Sequence, residues 1–90
     1  MSIKQIFIIS VLSTCPTFEG GDGIGDHEKW MGKLKDEKCI EACKELQKND
    51  SNVNGVTVRQ GNKKGCYCER NMAKVISGQT GYKTCFLVPN

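Results

Sequence analysis

Two cysteine pairs at two different spacings constrain this chain more than any other feature: Cys39-x-x-x-Cys43 and Cys66-x-Cys68. Residues four apart on a helix share a face and lie about 6 Å apart along the axis. Residues two apart on a strand also share a face, at roughly 6.6 Å. The two spacings are therefore rulers of nearly equal length, one cut for a helix and one for a strand. A helix laid across a sheet can be joined to it by side-by-side disulfides, with each helix cysteine finding its partner at bonding distance. Such an arrangement pairs Cys39 with Cys66 and Cys43 with Cys68. The two remaining cysteines, Cys15 and Cys85, would then close the ends of the chain.

The flanking residues suit these assignments. Asp36 is a plausible N-cap, and "EKCIEACKELQK" carries a helix from Glu37 to Lys48. Cys39, Ala42, Cys43 and Leu46 fall on one face at 100° per residue, while Glu41 with Lys44 and Glu45 with Lys48 can pair on the solvated side. The turn formers from Asn49 to Gly55 end the helix. Val56 to Arg59 alternates apolar and polar as a strand does, Gly61 to Gly65 turns the chain, and Cys66 to Glu69 returns as a second strand. After a loop from Asn71 to Gly81, the strand formers between Tyr82 and Val88 offer a third. The expected fold is a small disulfide-rich α+β domain over residues 30–90, with one helix clamped by two disulfides to a β-hairpin or a three-stranded antiparallel sheet.

Upstream, Trp30, Met31 and Leu34 read as one or two helical turns, broken from the main helix near Gly32. Residues 18–29 read as a Gly-rich flexible leader around "EGGDGIG". Asp22 and Asp26 within it lack the spacing and the bidentate Glu of a calcium loop, and His27, the single histidine, has no catalytic partner in sequence. At the N-terminus, Lys4 and the apolar run Ile6 to Leu12 form an export signal over residues 1–17, cleaved after Ser13 or Thr17. That run is shorter than the roughly 20 apolar residues of a membrane span. Cleavage after Ser13 keeps Cys15 and a monomer; cleavage after Thr17 leaves Cys85 to pair between chains as a dimer.

Beyond residue 20 only seven side chains are Phe, Trp, Tyr or Leu, so the core is thin and the six cysteines act as staples. Structural zinc favours wider knuckles and more histidine than this chain offers, and disulfide redox chemistry favours Cys-x-x-Cys, which is missing. No metal or cofactor is expected. A net charge of +3, without a stripe of arginines and aromatics, argues against nucleic acid. No nucleophile elbow, paired-acid motif or phosphate loop is present, so an enzyme is not expected.

Cys39, Cys43, Cys66 and Cys68 together resemble the cysteine-stabilised αβ family of defensins and scorpion toxins, in which a helix Cys-x-x-x-Cys is tied to a hairpin Cys-x-Cys. The segment Asn62 to Cys68 looks like the hairpin of these toxins, and Cys85 is similar to the late cysteine of the long-chain forms. The likeness covers Asp36 to Glu69 and loosens toward Cys85. A first hairpin strand without cysteine, at Val56 and Val58, departs from the family pattern. The resemblance implies a secreted, toxin-like protein that binds an extracellular target such as an ion channel. Lys63, Lys64, Tyr67 and Arg59 are the candidate contact residues, because a basic hairpin tip suits an acidic channel vestibule. Two further readings stand beside it: a host-defence peptide acting on microbial membranes, and a PAN/apple-like extracellular module that binds protein or glycan. Asn49-Asp50-Ser51 is a glycosylation sequon if the source is eukaryotic.

Overall fold

The computed structural model describes Cys15 and residues 18–61, 64–78 and 80–89. The signal segment at 1–17, apart from Cys15, and Lys63 of the candidate contact residues lie outside the described residues. In chain order the elements are β1 (Glu19–Gly20), β2 (Asp22–Gly32), α1 (Asp36–Gln47), β3 (Val53–Arg59), β4 (Gly65–Ile76) and β5 (Tyr82–Phe86). All five strands join one antiparallel sheet in the order β1-β5-β3-β4-β2. Three disulfides connect Cys39 to Cys66, Cys43 to Cys68 and Cys15 to Cys85, with Cα separations of 5.5, 5.3 and 5.9 Å.

One face of the sheet carries α1. Val56, Val58, Cys66, Cys68 and Cys85 are buried against Cys39, Ile40 and Cys43 of the helix, with Val53 and Leu87 extending this core. The buried helix face is rotated slightly from the expected one. Ile40 and Gln47 are inside, and Leu46 is only partly covered. Gln47 can be buried because its amide donates to Val53 O at 2.8 Å and its Oε1 accepts from Lys44 Nζ, also at 2.8 Å. Lys44 further reaches Val88 O at 2.9 Å, so it ties the C-terminal segment to the helix rather than pairing with Glu41. Glu41 pairs instead with Lys38, and Glu45 pairs with Lys48 as the spacing suggests. At the other end of α1, Asp36 is helical and bonds Lys83 of β5, while Lys35 holds the cap position without a side-chain cap.

The segment expected to be a leader is instead a strand with a structural task. β1 and β2 are one stretch interrupted only at Gly21. Its start pairs with β5 and its remainder pairs with β4. These are opposite margins of the sheet, so the sheet curls until the two ends of this stretch close it. At the closure Gly21 N donates to Tyr82 O at 3.0 Å, and Gly21 O accepts from the Thr84 hydroxyl at 2.8 Å.

Glycine is what permits so tight a curl. A Cβ at Gly21 or Gly25 would strike the backbone carbonyl of Ile76 or Arg70, and at Gly23 it would strike the Met72 sulfur. These glycines alternate, as inward positions on a strand do. "EGGDGIG" thus encodes a strand whose inner face has been stripped of side chains. Trp30 and Met31, expected in helical turns, continue the same strand, and Trp30 pairs opposite Tyr67. The expected loop at 71–81 is shorter, because β4 runs on to Ile76. Past the bulge at Asn71, Asn54 supports that extension by bonding Met72 N and O with its side-chain amide, at 2.7 and 3.0 Å.

Two outcomes follow for stability. Gly25→Ala should cost about 2 kcal/mol, an overpacking penalty against backbone, whereas Gly20→Ala, with open space around it, should be nearly neutral. Urea unfolding of the two variants measures the difference. Replacing both Cys43 and Cys68 by alanine should cost about 3 kcal/mol in the same measurement.

Candidate functional site

The face of the sheet away from α1 holds two features of different character. The first lies at the end nearest the β3–β4 turn. Strand register places Trp30 opposite Tyr67, and Arg59 opposite both Gly65 and Tyr82. The indole and the Tyr67 ring meet over Gly65, where even a methyl would lie 3.3 Å from each. Trp30 keeps 58% of its surface exposed, a large apolar area to leave in water. The Arg59 guanidinium sits over the Tyr82 ring, 5.6 Å from its centroid, in a cation–π arrangement. Two aromatic rings and a stacked cation therefore lie side by side on a backbone held by the disulfides.

Of the residues singled out in the sequence, Arg59 and Tyr67 belong to this surface. Tyr67 is half-buried under Trp30 rather than free. Lys64 is exposed beside it and, with Arg59, borders a groove of about 510 Å³ that reaches Leu34, Lys35 and Asp36 at the start of α1. Asn49 is exposed in the turn after α1, away from this surface. Trp30 is the contact candidate that sequence reasoning missed. The signal for it was period-two alternation from Gly21 through Gly25, which marks a strand entering that residue.

The second feature lies under the first half of β2. Thr57, Glu69, Met72 and Thr84 fill the inside of the curl. Thr84 donates to Gly21 O, so the 2.9 Å bond between the two threonines uses the hydrogen of Thr57. Glu69 is 1% exposed, and its Oε2 has no hydrogen-bond partner. Above it opens a depression of about 410 Å³ bordered by Asp22, His27 and Glu28. Burial pushes the Glu69 carboxyl up to about 8, helped by a proton-sharing contact with Glu28 and by the charges of Glu28 and Asp22, against a smaller pull from the Thr57 hydroxyl. Burial likewise raises Asp22.

Nearby, Arg70 locks the outside of the curl. Its Nε donates to Asp50 Oδ2 at 2.6 Å and its Nη1 to His27 O at 2.9 Å. The Arg70 bond holds the Asp50 carboxyl below its ordinary range. Among the described residues, the one set of metal-type side chains whose ligand atoms converge is Cys39, Cys43 and Cys66, and all three sulfurs are committed to disulfides.

Because the folded protein holds Glu69 protonated far above the pH at which the unfolded chain ionises, the folded state binds the extra proton between roughly pH 4.5 and 8. Glu69 therefore makes stability fall as pH rises through that window and level off above it. The expected outcome is a thermal midpoint that declines from pH 5 to pH 8, with the decline much reduced in Glu69→Gln. No protein-family model, curated protein or solved structure matches this chain.

Proposed function

We propose that this chain is a secreted, non-enzymatic recognition protein that binds an extracellular protein or glycan through the surface of Trp30, Tyr67, Arg59 and Tyr82. The observation that carries this reading is the indole of Trp30, exposed on a rigid sheet beside a guanidinium already stacked on Tyr82. Aromatic and arginine side chains dominate binding energy where they cluster, and little conformational entropy is lost when their positions are fixed beforehand. Three buried disulfides suit an oxidising, extracellular setting. A five-stranded sheet exceeds the hairpin on which the toxin resemblance rests, which favours a PAN/apple-like binding module over a short toxin.

The toxin-like reading keeps one observation of its own. Lys64 is exposed at the β3–β4 turn next to Arg59, a basic edge that would suit an acidic channel mouth. Screening the folded protein against glycan and extracellular-protein arrays, with channel electrophysiology in parallel, separates the two readings. For the module, Trp30→Ala should weaken binding to the identified target at least about tenfold while unfolding at the same urea concentration as the parent. If neither the arrays nor the channels respond to the protein, the recognition reading fails.

A further inference from the structure

The depression above Glu69 has a composition that the recognition surface does not explain. The chain carries net charge +3, yet this one hollow gathers Asp22, Glu28 and Glu69. Acidic clusters on solvated faces are common, but the floor of this one is not solvated. Glu69 lines the hollow yet is almost wholly buried, and its Oε2 has no hydrogen-bond partner. A buried acceptor left unpaired costs free energy that a donor entering from the hollow would recover.

We propose that this depression is a binding site for a guanidinium group, with Glu69 at its floor and Asp22 and Glu28 at its rim. The spacing of the acids selects that chemistry. The three carboxyls do not bring one oxygen each within 4.8 Å of one another, so they do not converge on a point-like metal ion. A guanidinium instead spreads five N–H donors over a plane and can address carboxylates set apart from one another. Exposed Ile24 borders the hollow and offers apolar surface to the carbon attached to such a group. The site shares no residue with the Trp30 surface and does not depend on the function proposed for it.

Binding there is linked to a proton. On β2 the groups around Glu69 are Asp22, Glu28 and, at the rim, His27; β3 and β5 bring only the hydroxyls of Thr57 and Thr84. Among the described residues, no lysine or arginine lines the hollow. A guanidinium pairs with the ionised carboxylate, so Glu69 must release its proton to solvent as the ligand enters. With a floor that titrates near 8, affinity should rise about 50-fold between pH 6 and pH 8.

The test is calorimetric and NMR titration of the folded protein with ethylguanidinium and with an end-blocked Gly-Arg-Gly peptide, using ethylammonium and calcium as controls. The expected result is guanidinium binding that shifts the amides of Gly23 and Glu28 and strengthens with pH. Glu69→Gln should lose at least tenfold in affinity at pH 8 and lose the pH dependence, and Glu28→Gln, an exposed rim variant, should weaken binding without unfolding the protein. A peptide tenfold tighter than ethylguanidinium would mean that the natural ligand is an arginine side chain of a protein; equal affinities would mean a small guanidinium compound. Absence of binding at both pH values, unchanged binding in Glu69→Gln, or binding of calcium in preference to guanidinium would overturn the proposal.

Discussion

The two bridges between α1 and the Cys66–Cys68 strand set the rest of this structure. They fix which face of β4 is inside, and because side chains alternate on a strand, they also fix which residues lie on the far face. Once Cys66 and Cys68 point at the helix, Gly65, Tyr67 and Glu69 must point away from it. The register of β3 and β2 then brings Arg59, Thr57 and Trp30 to that same far side. A slip of one residue would bury Tyr67 against α1 and expose both cysteines. The covalent link removes that alternative, which a core whose buried non-cysteine members are three valines, Ile40 and Leu87 would exclude only weakly.

The far face is then shared between two opposite solutions to the same packing problem. Toward the β3–β4 turn, bulky side chains lie open over Gly65. Toward the other end, β2 folds across Thr57, Glu69, Met72 and Thr84, so that backbone lies almost directly on side chain. Gly21, Gly23, Gly25 and Gly55 allow this approach, and Met72 fills the space that their missing side chains leave. Closure at Gly21 also covers the margin of β5 from Tyr82 to Thr84, which would otherwise be open to pairing between chains. The β2 segment therefore acts at once as closing strand, as lid over a polar interior and as the support for Trp30.

What could be read from the sequence follows the same division. The helix from Asp36 and the pairing of its two cysteines with Cys66 and Cys68 were legible because covalent geometry links the 3.6-residue and two-residue periods directly. The strands around Val56 and Tyr82 were legible from β-branched and aromatic residues. The strand from Glu19 to Gly32 was not, because glycine ordinarily signals a flexible loop, and here its lack of a side chain is what the strand uses. Trp30 was misplaced for the same reason: its apolar neighbours Met31 and Leu34 suggested helical turns, while the strand's own period lay in glycines, which carry no hydropathy. Arg59 and Tyr67 could be singled out by residue type, but their grouping with Trp30 and Tyr82 depends on a register no local pattern contains. The position of Glu69, adjacent to a cysteine that faces the helix, placed it on the far face. That this face is covered there is a consequence of the closure alone.

Glu69 shows why covering a polar residue need not destroy such a small fold. A charged carboxylate in that position would face Glu28 and Asp22 across a short distance with little water to screen them. Protonation removes the repulsion and lets the carboxyl share its hydrogen with Glu28, so the curl tolerates three acids where it would not tolerate three charges. Arg70, the nearest strong cation along the strand, points to the opposite side and is held by Asp50 and the His27 carbonyl. It stabilises the outside of the closure and leaves the inside acidic. Had Arg70 and Glu69 shared a face, they would have formed an internal ion pair and the hollow would be neutral and closed to cations. The strand alternation set by Cys68 prevents this, so the clamp that stabilises the domain also keeps Arg70 away from that acid.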